Sequence, residues 1–253
     1  SMLETYKTEV QSWGGTKTYY RIVAPTTTGY FTSKEPSQAA MNAASADWKN
    51  SMNDYNVMIV TIARAAGENR SYMPGKAGVD PSQNLNQTDP LGLSDDERDL
   101  IAAAVEAKKA NGGKVIVLLN NASAMEVQEL ADNDGIDAML EIGLPGGYGF
   151  YGVADVLSGA ANPSGHLADT YVVTNANAPS AQNYGDLEWT NANSDVKMNS
   201  ELVEAENIYI GYKYYETRYA DTVLGQGNAS DSVGSSTGKA WNYDDEVTYP
   251  FGY

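Results

Sequence analysis

Apolar residues in this chain come in short runs separated by stretches of helical spacing. Val57-Met-Ile-Val-Thr-Ile62 and Lys114-Val-Ile-Val-Leu-Leu119 are almost continuously apolar, as strands buried on both faces are. Ile136-Asp-Ala-Met-Leu-Glu-Ile142 predicts a third strand, Leu167-Ala-Asp-Thr-Tyr-Val-Val173 a fourth, and Tyr19-Tyr-Arg-Ile-Val23 a weaker one. The Ala-rich stretch from Ser37 to Asn50, preceded by Pro36, carries an apolar stripe and predicts a helix. Ser94-Asp-Asp-Glu97 reads as a capping box, with acids at the positive end of a helix. That helix runs through Leu100, Ile101, Ala104 and Val105 to Gly112-Gly113, where glycine permits a left-handed stop. Ser123 is expected to cap a short helix around Met125 to Leu130, and Gly149 to Leu157 predicts another. Asn162-Pro-Ser-Gly165 predicts a tight turn.

Strands alternating with helices imply βαβ units. The expected fold class is therefore α/β: a three-layer sandwich with a mostly parallel, twisted sheet in a flavodoxin-like arrangement. There are too few strand–helix pairs for a (β/α)8 barrel. One domain is expected over residues 1–253, with its core at about 15–220 and an irregular tail at 221–253. The stretch from Arg64 to Gly92 is dense in Gly, Pro, Asn and Asp, and a loop of that length in a compact domain suggests a functional excursion. Polar residues dominate after Thr174. Between two polar stretches, Glu206-Asn-Ile-Tyr-Ile-Gly-Tyr-Lys-Tyr-Tyr215 is aromatic-dense and is expected along a sheet edge.

A formal charge of −17 argues against nucleic acid and against an anionic membrane surface. No apolar run is long enough to span a bilayer. The absence of Cys removes disulfides, thiolate metal sites and Cys nucleophiles, and the single His166 leaves little scope for metal binding. Neither a metal nor a cofactor is expected. The 18 Tyr against 3 Phe suit a wet surface that meets sugar or protein. No charged stretch followed by an apolar one marks a secretory leader, so the compartment, cytoplasmic or secreted, stays open, here for a bacterial protein. Ser1-Met2 looks like a cloning remnant and Tyr249-Pro-Phe-Gly-Tyr253 stops on apolar residues, so a piece of a longer protein is expected.

Among the chemistry-bearing residues, Glu68 stands out. It follows Gly67 in the loop beyond the first buried strand, and in an open α/β sheet ligands bind beyond the carboxyl ends of the strands. A lone carboxylate there suits a general acid/base; a solvated loop acid is the bland alternative. Arg64, Asn69 and Arg70 flank it and are the candidate substrate-binding residues. Gly147-Tyr-Gly-Phe-Tyr-Gly152 matches G-x-G-x-x-G after a predicted strand, with Asp169 downstream, and raises a dinucleotide site. Close helix–strand packing explains those glycines equally well. Ser164, His166 and Asp169 are too close in sequence for a catalytic triad, and Asp95, Asp96, Glu97 and Asp99 are accounted for by helix capping.

At several of these stretches the chain resembles the second, (α/β)6-sandwich domain of family 3 glycoside hydrolases of the β-glucosidase type. The matching pieces include Ala63-Arg-Ala-Ala-Gly-Glu68, Leu93-Ser-Asp-Asp-Glu97, Ala154-Asp-Val-Leu-Ser-Gly159 and Asn162-Pro-Ser-Gly-His-Leu167. Asn207-Ile-Tyr-Ile-Gly-Tyr-Lys-Tyr-Tyr215 and Tyr249-Pro-Phe-Gly-Tyr253 complete the series, which covers about residues 55–253. Together the pieces are specific; each alone is weak.

The resemblance implies a retaining β-glycosidase acting on β-glucosides or related oligosaccharides. Its partner would be a (β/α)8 barrel of the same parent protein, before or after this domain, that supplies an Asp nucleophile. Glu68 matches the family's acid/base position, in an interdomain site. Without the barrel, the isolated chain is expected to be inactive. Ser45-Ala-Asp-Trp48 echoes the nucleophile motif but falls in a predicted helix and is read as coincidence. The family often continues G-E-G-x-D, whereas here Asn69-Arg70-Ser71 follow Glu68. A non-catalytic carbohydrate-binding or scaffold module is the alternative reading.

Overall fold

A computed structural model of the chain describes residues 23–25, 31–32, 37–64, 89–182, 187–188, 200–201 and 203–253. The chain divides between Gly165 and His166 into two compact units.

The first unit is built on a parallel three-stranded sheet, with β3 (Val57–Ala63), β4 (Lys114–Asn120) and β5 (Ala138–Glu141) side by side in that order. Val57 pairs with Lys114 and the register runs unbroken to Ala63 and Asn120. Ile116 to Leu119 then pair with Ala138 to Glu141. Met58, Val60 and Ile62 of β3 and Val115, Val117 and Leu119 of β4 share one face and are buried. Against this face packs α2 (Asp95–Asn111), which buries Leu100, Ile101, Ala104 and Ala107 at helical spacing. On the other face Val57 and Ile59 stay 46% and 49% exposed, so β3 shows the alternation of a half-covered edge strand. The α/β class and the open parallel sheet agree with the sequence expectation.

Helix α2 has the predicted ends. Ser94 accepts from the Glu97 N–H, the Glu97 carboxylate accepts from the Ser94 N–H, and Gly112 closes the helix at φ +71°. Before it, α1 (Gln38–Ala44) is capped by Ser37 and stops well short of Asn50; a 3-10 turn at Asn50–Asp54 follows. The tetrapeptide Ser45–Trp48 therefore lies after the helix, not in it. Trp48 is buried there and donates through Nε1 to Asn42 at 2.7 Å.

After β4, α3 is only Gln128–Ala131, with Val127 at its N-cap instead of Ser123. The Ser123 N–H is taken by the Asn121 side chain, while Met125 and Val127 are buried, so apolar anchoring replaces side-chain capping. Helix α4 (Gly146–Ser158) starts earlier than predicted.

In the second unit the Leu167–Val173 run shrinks to β6 (Tyr171–Val172), which pairs antiparallel with β9 (Val247–Tyr249) and not with the parallel sheet. Its backbone partners come from far along the chain: the Leu167 N–H donates to Tyr253 O and the Val173 N–H to Glu246 O. Residues 221–253, expected as an irregular tail, thus carry β9 and the short helix α7 (Tyr243–Glu246). The short helix α5 is Pro179–Gln182, and the small ladder β7 (Leu187–Glu188) with β8 (Ser200–Glu201) is antiparallel, as is β1 (Val23–Pro25) with β2 (Phe31–Thr32) in the first unit.

The aromatic stretch expected at a sheet edge is mostly helix α6 (Tyr212–Leu224). Tyr212, Tyr215 and Tyr219 recur at a helical period, and Gly211 at φ +56° lets the chain turn into it. The unit's core is Val172, Tyr215, Trp241 and Val247. Arg218 of α6 fixes the following loop, donating to the Ala229 and Val233 carbonyls and to Asp231, with its guanidinium 4.9 Å from the Trp241 ring centroid.

Candidate active site

In a parallel sheet all strands end at one rim, and loops that leave this rim carry ligand-binding groups. Here β3 ends at Ala63 and β4 at Asn120, paired residues, so both chains leave the sheet at one level. Arg64 is the next residue, and its N–H donates to Asn120 O at 3.3 Å. Asn120 donates through Nδ2 to Gly143 O at 2.6 Å, and the Gly143 N–H in turn donates to the Glu141 carboxylate. Asn121 is buried with its Oδ1 on the Ser123 N–H, while its Nδ2 has no hydrogen-bond partner among the described residues.

The Arg64 side chain turns inward. Nε donates to Pro90 O at 2.8 Å, Nη1 to Ala63 O at 2.8 Å and Nη2 to Gly92 O at 2.6 Å. Nη1 and Nη2 also donate to the two carboxylate oxygens of Glu97, at 2.6 and 2.9 Å. All five N–H groups of the guanidinium are thereby directed at protein acceptors. Arg64, expected at the substrate, is instead a buried group that ties the end of β3 to residues 90–92 and to the first turn of α2. Glu97 has a second role that its capping signature concealed: it neutralises that buried cation.

Glu68, Asn69 and Arg70 lie outside the described residues. The tetrapeptide Ser45–Trp48 has its own structural explanation, because Asp47 accepts from Asn50 at 2.6 Å and Trp48 belongs to the core. The G-x-G-x-x-G match falls inside α4, whose first residue is Gly146. A dinucleotide turn needs its first glycine in the loop between strand and helix, so the dinucleotide reading is not supported. Of these glycines Gly149 serves the helix, since a Cβ there would come within 2.7 Å of the Pro145 Cβ, whereas a Cβ on Gly147 or Gly152 would meet nothing. No group of acids and His that could hold a metal occurs among the described residues.

At the opposite rim Asp137 accepts from Lys108 and Lys114, at 2.7 and 2.8 Å, and from the Val115 N–H at 2.9 Å. Hydrogen bonds from Lys108 first, then Lys114 and the backbone, hold its carboxyl well below the usual range. This cluster joins α2 to the start of β4 and to residue 137, far from the rim where Arg64 leaves. Its role is structural.

The sequence pattern described as the glycosyl hydrolase family 3 C-terminal domain matches residues 1–253, the whole chain. The chain belongs to this family. A β-glucosidase of Schizophyllum commune is 27% identical over 191 residues, covering 76% of this chain and 84% of that sequence. A probable β-glucosidase F of Emericella nidulans is 31% identical over 129 residues, covering 51% of this chain but 14% of its own length. Among solved structures, β-glucosidase 3B from Thermotoga neapolitana in complex with glycerol is similar at a TM-score of 0.52 and 30% identity, over 81% of this chain and 22% of that one. The same enzyme with α-D-glucose gives a TM-score of 0.55 at 29% identity, over 85% of this chain and 26% of that one. This family 3 C-terminal domain therefore spans 14% of the Emericella protein and 22–26% of the Thermotoga enzyme.

Proposed function

We propose that this chain is the acid/base-bearing domain of a retaining β-glycosidase that hydrolyses β-glucosides or related oligosaccharides. The observation that supports it best is Arg64, fixed at the carboxyl rim of the sheet four residues before Glu68 within the family's own motif. In this reading an Asp from a (β/α)8 barrel of the parent protein attacks the anomeric carbon. The Glu68 carboxyl gives its proton to the departing glycosidic oxygen. The Glu68 carboxylate then takes a proton from the water that attacks the same carbon and frees the sugar from the Asp. Such chemistry needs the two carboxyl groups about 5–5.5 Å apart. Asn69 and Arg70 would hydrogen-bond sugar hydroxyls beside it.

The test is Glu68→Ala in the parent enzyme, assayed on a phenyl β-glucoside. Hydrolysis should fall by about 10²–10⁴-fold, and added azide should restore turnover with β-glucosyl azide as product. Unchanged hydrolysis in that variant would end the proposal, as would clear hydrolysis by the isolated chain.

A second reading is a carbohydrate-binding module without catalysis. Tyr212 and Phe251 favour it: their rings stack on each other at 4.3 Å and remain 39% and 46% exposed, an exposed aromatic pair with an outer ring face of the kind sugars pack on. Saturable binding of gluco-oligosaccharides by the isolated chain, lost in Tyr212→Ala, would support this reading.

A further inference from the structure

Arg64 does more than fill a buried site. Its backbone N–H extends the β3–β4 ladder, which fixes its Cα to the sheet. Its guanidinium reaches the carbonyls of Pro90 and Gly92, where the chain returns from residues 65–88. Through Glu97 it also holds the first turn of α2, because one Glu97 oxygen accepts from both Arg64 and the Ser94 N–H. One side chain therefore anchors both flanks of the segment that contains Glu68. The two side chains are 1% and 3% exposed, so neither can contact a substrate directly. A buried ion pair adds little net stability compared with apolar packing, but it enforces a geometry that apolar contacts would not.

We propose that the Arg64–Glu97 pair is a positioning device for the acid/base carboxylate, setting the flanks of residues 65–88 so that the Glu68 proton reaches the glycosidic oxygen. This rests on the reading of Glu68 given above. Glu68 follows Arg64 by four residues in the sequence, next to the anchored flank. Displacements of about 1 Å at a reacting group cost up to about 10²-fold in rate. Loosening the clamp should therefore weaken proton donation selectively.

The experiment uses the full-length parent enzyme with Arg64→Lys, Glu97→Gln and, as reference, Glu68→Gln. kcat/KM is measured on phenyl β-glucoside, whose leaving group needs a proton, and on 2,4-dinitrophenyl β-glucoside, whose leaving group does not. The clamp variants should lose about tenfold or more on the first and less than about threefold on the second. An equal loss on both substrates, or no loss on either, overturns the inference. So does unfolding of both clamp variants by circular dichroism, since the pair would then serve stability alone. Glu97→Gln keeps the side-chain volume and the acceptor for the Ser94 N–H, and carries the test if Arg64→Lys alone fails to fold. Glu68→Gln separates the two claims. A selective loss there with none in the clamp variants rejects only the clamp; an equal loss on both substrates in Glu68→Gln rejects the acid/base reading itself.

Discussion

Arg64 and Glu97 meet end-on inside the first unit, Nη1 on Oε1 and Nη2 on Oε2, in a two-pronged contact that joins the end of β3 to the start of α2. Removing either partner strands a buried charge. Glu97→Ala should lower the unfolding free energy by about 3–5 kcal/mol, read from urea denaturation of the chain. A loss below about 1 kcal/mol would mean that the guanidinium finds another acceptor or water.

Ser94 sits beside that pair yet does a separable job. Its hydroxyl accepts the Glu97 N–H at 3.2 Å, and nothing in the Arg64–Glu97 contact depends on it. Ser94→Ala should cost about 1 kcal/mol, and Ser94→Asp should recover most of that loss. Equal unfolding midpoints for Ser94→Ala and the parent would argue against the cap.

Gly135 is required for lack of space. A Cβ there would lie 2.4 Å from Val105 Cγ1 and 2.8 Å from its Cγ2. Gly135→Ala should destabilise by about 1–3 kcal/mol, and a second change, Val105→Ala, should relieve the clash. If the double variant is no more stable than Gly135→Ala, the crowding has another source.

Asp137 predicts an acid-sensitive contribution. Its folded carboxyl titrates well below the value near 3.9 of an unfolded chain. Its stabilisation is complete above about pH 5 and declines below about pH 4, as the unfolded carboxyl takes up its proton. The decline continues as pH falls through the lowered folded value. Comparing wild type with Asp137→Asn by thermal unfolding should show a gap at pH 7 that narrows at pH 2.5. A gap that does not change with pH would contradict the assignment.

The elements legible in the sequence are those whose signals are local. Helix α2 announced both ends, through the Ser94–Glu97 box and Gly112, and β3 and β4 announced themselves as apolar runs. Helix α6 was hidden because its tyrosines invite a strand reading and only Tyr215 is buried. The β6–β9 ladder was invisible for another reason: its two halves lie some 75 residues apart, and nothing in either encodes the pairing. Arg64 looked available for substrate because it borders a strand end. Its acceptors are carbonyls at Pro90 and Gly92 and a carboxylate at Glu97, contacts that no spacing rule reveals. The G-x-G-x-x-G match fails on phase, because its glycines sit within α4, which already begins at Gly146.

The unbroken pairing of β3 with β4 has a consequence for how such a domain diversifies. Because Ala63 and Asn120 are partners, the chain departs twice from a common ledge, and the ladder beneath is complete before either departure. Segments grafted beyond Arg64 or Asn121 can change length and chemistry without altering a single rung below them. Folding stays governed by the seven rungs underneath, whatever sequence follows Arg64 or Asn121.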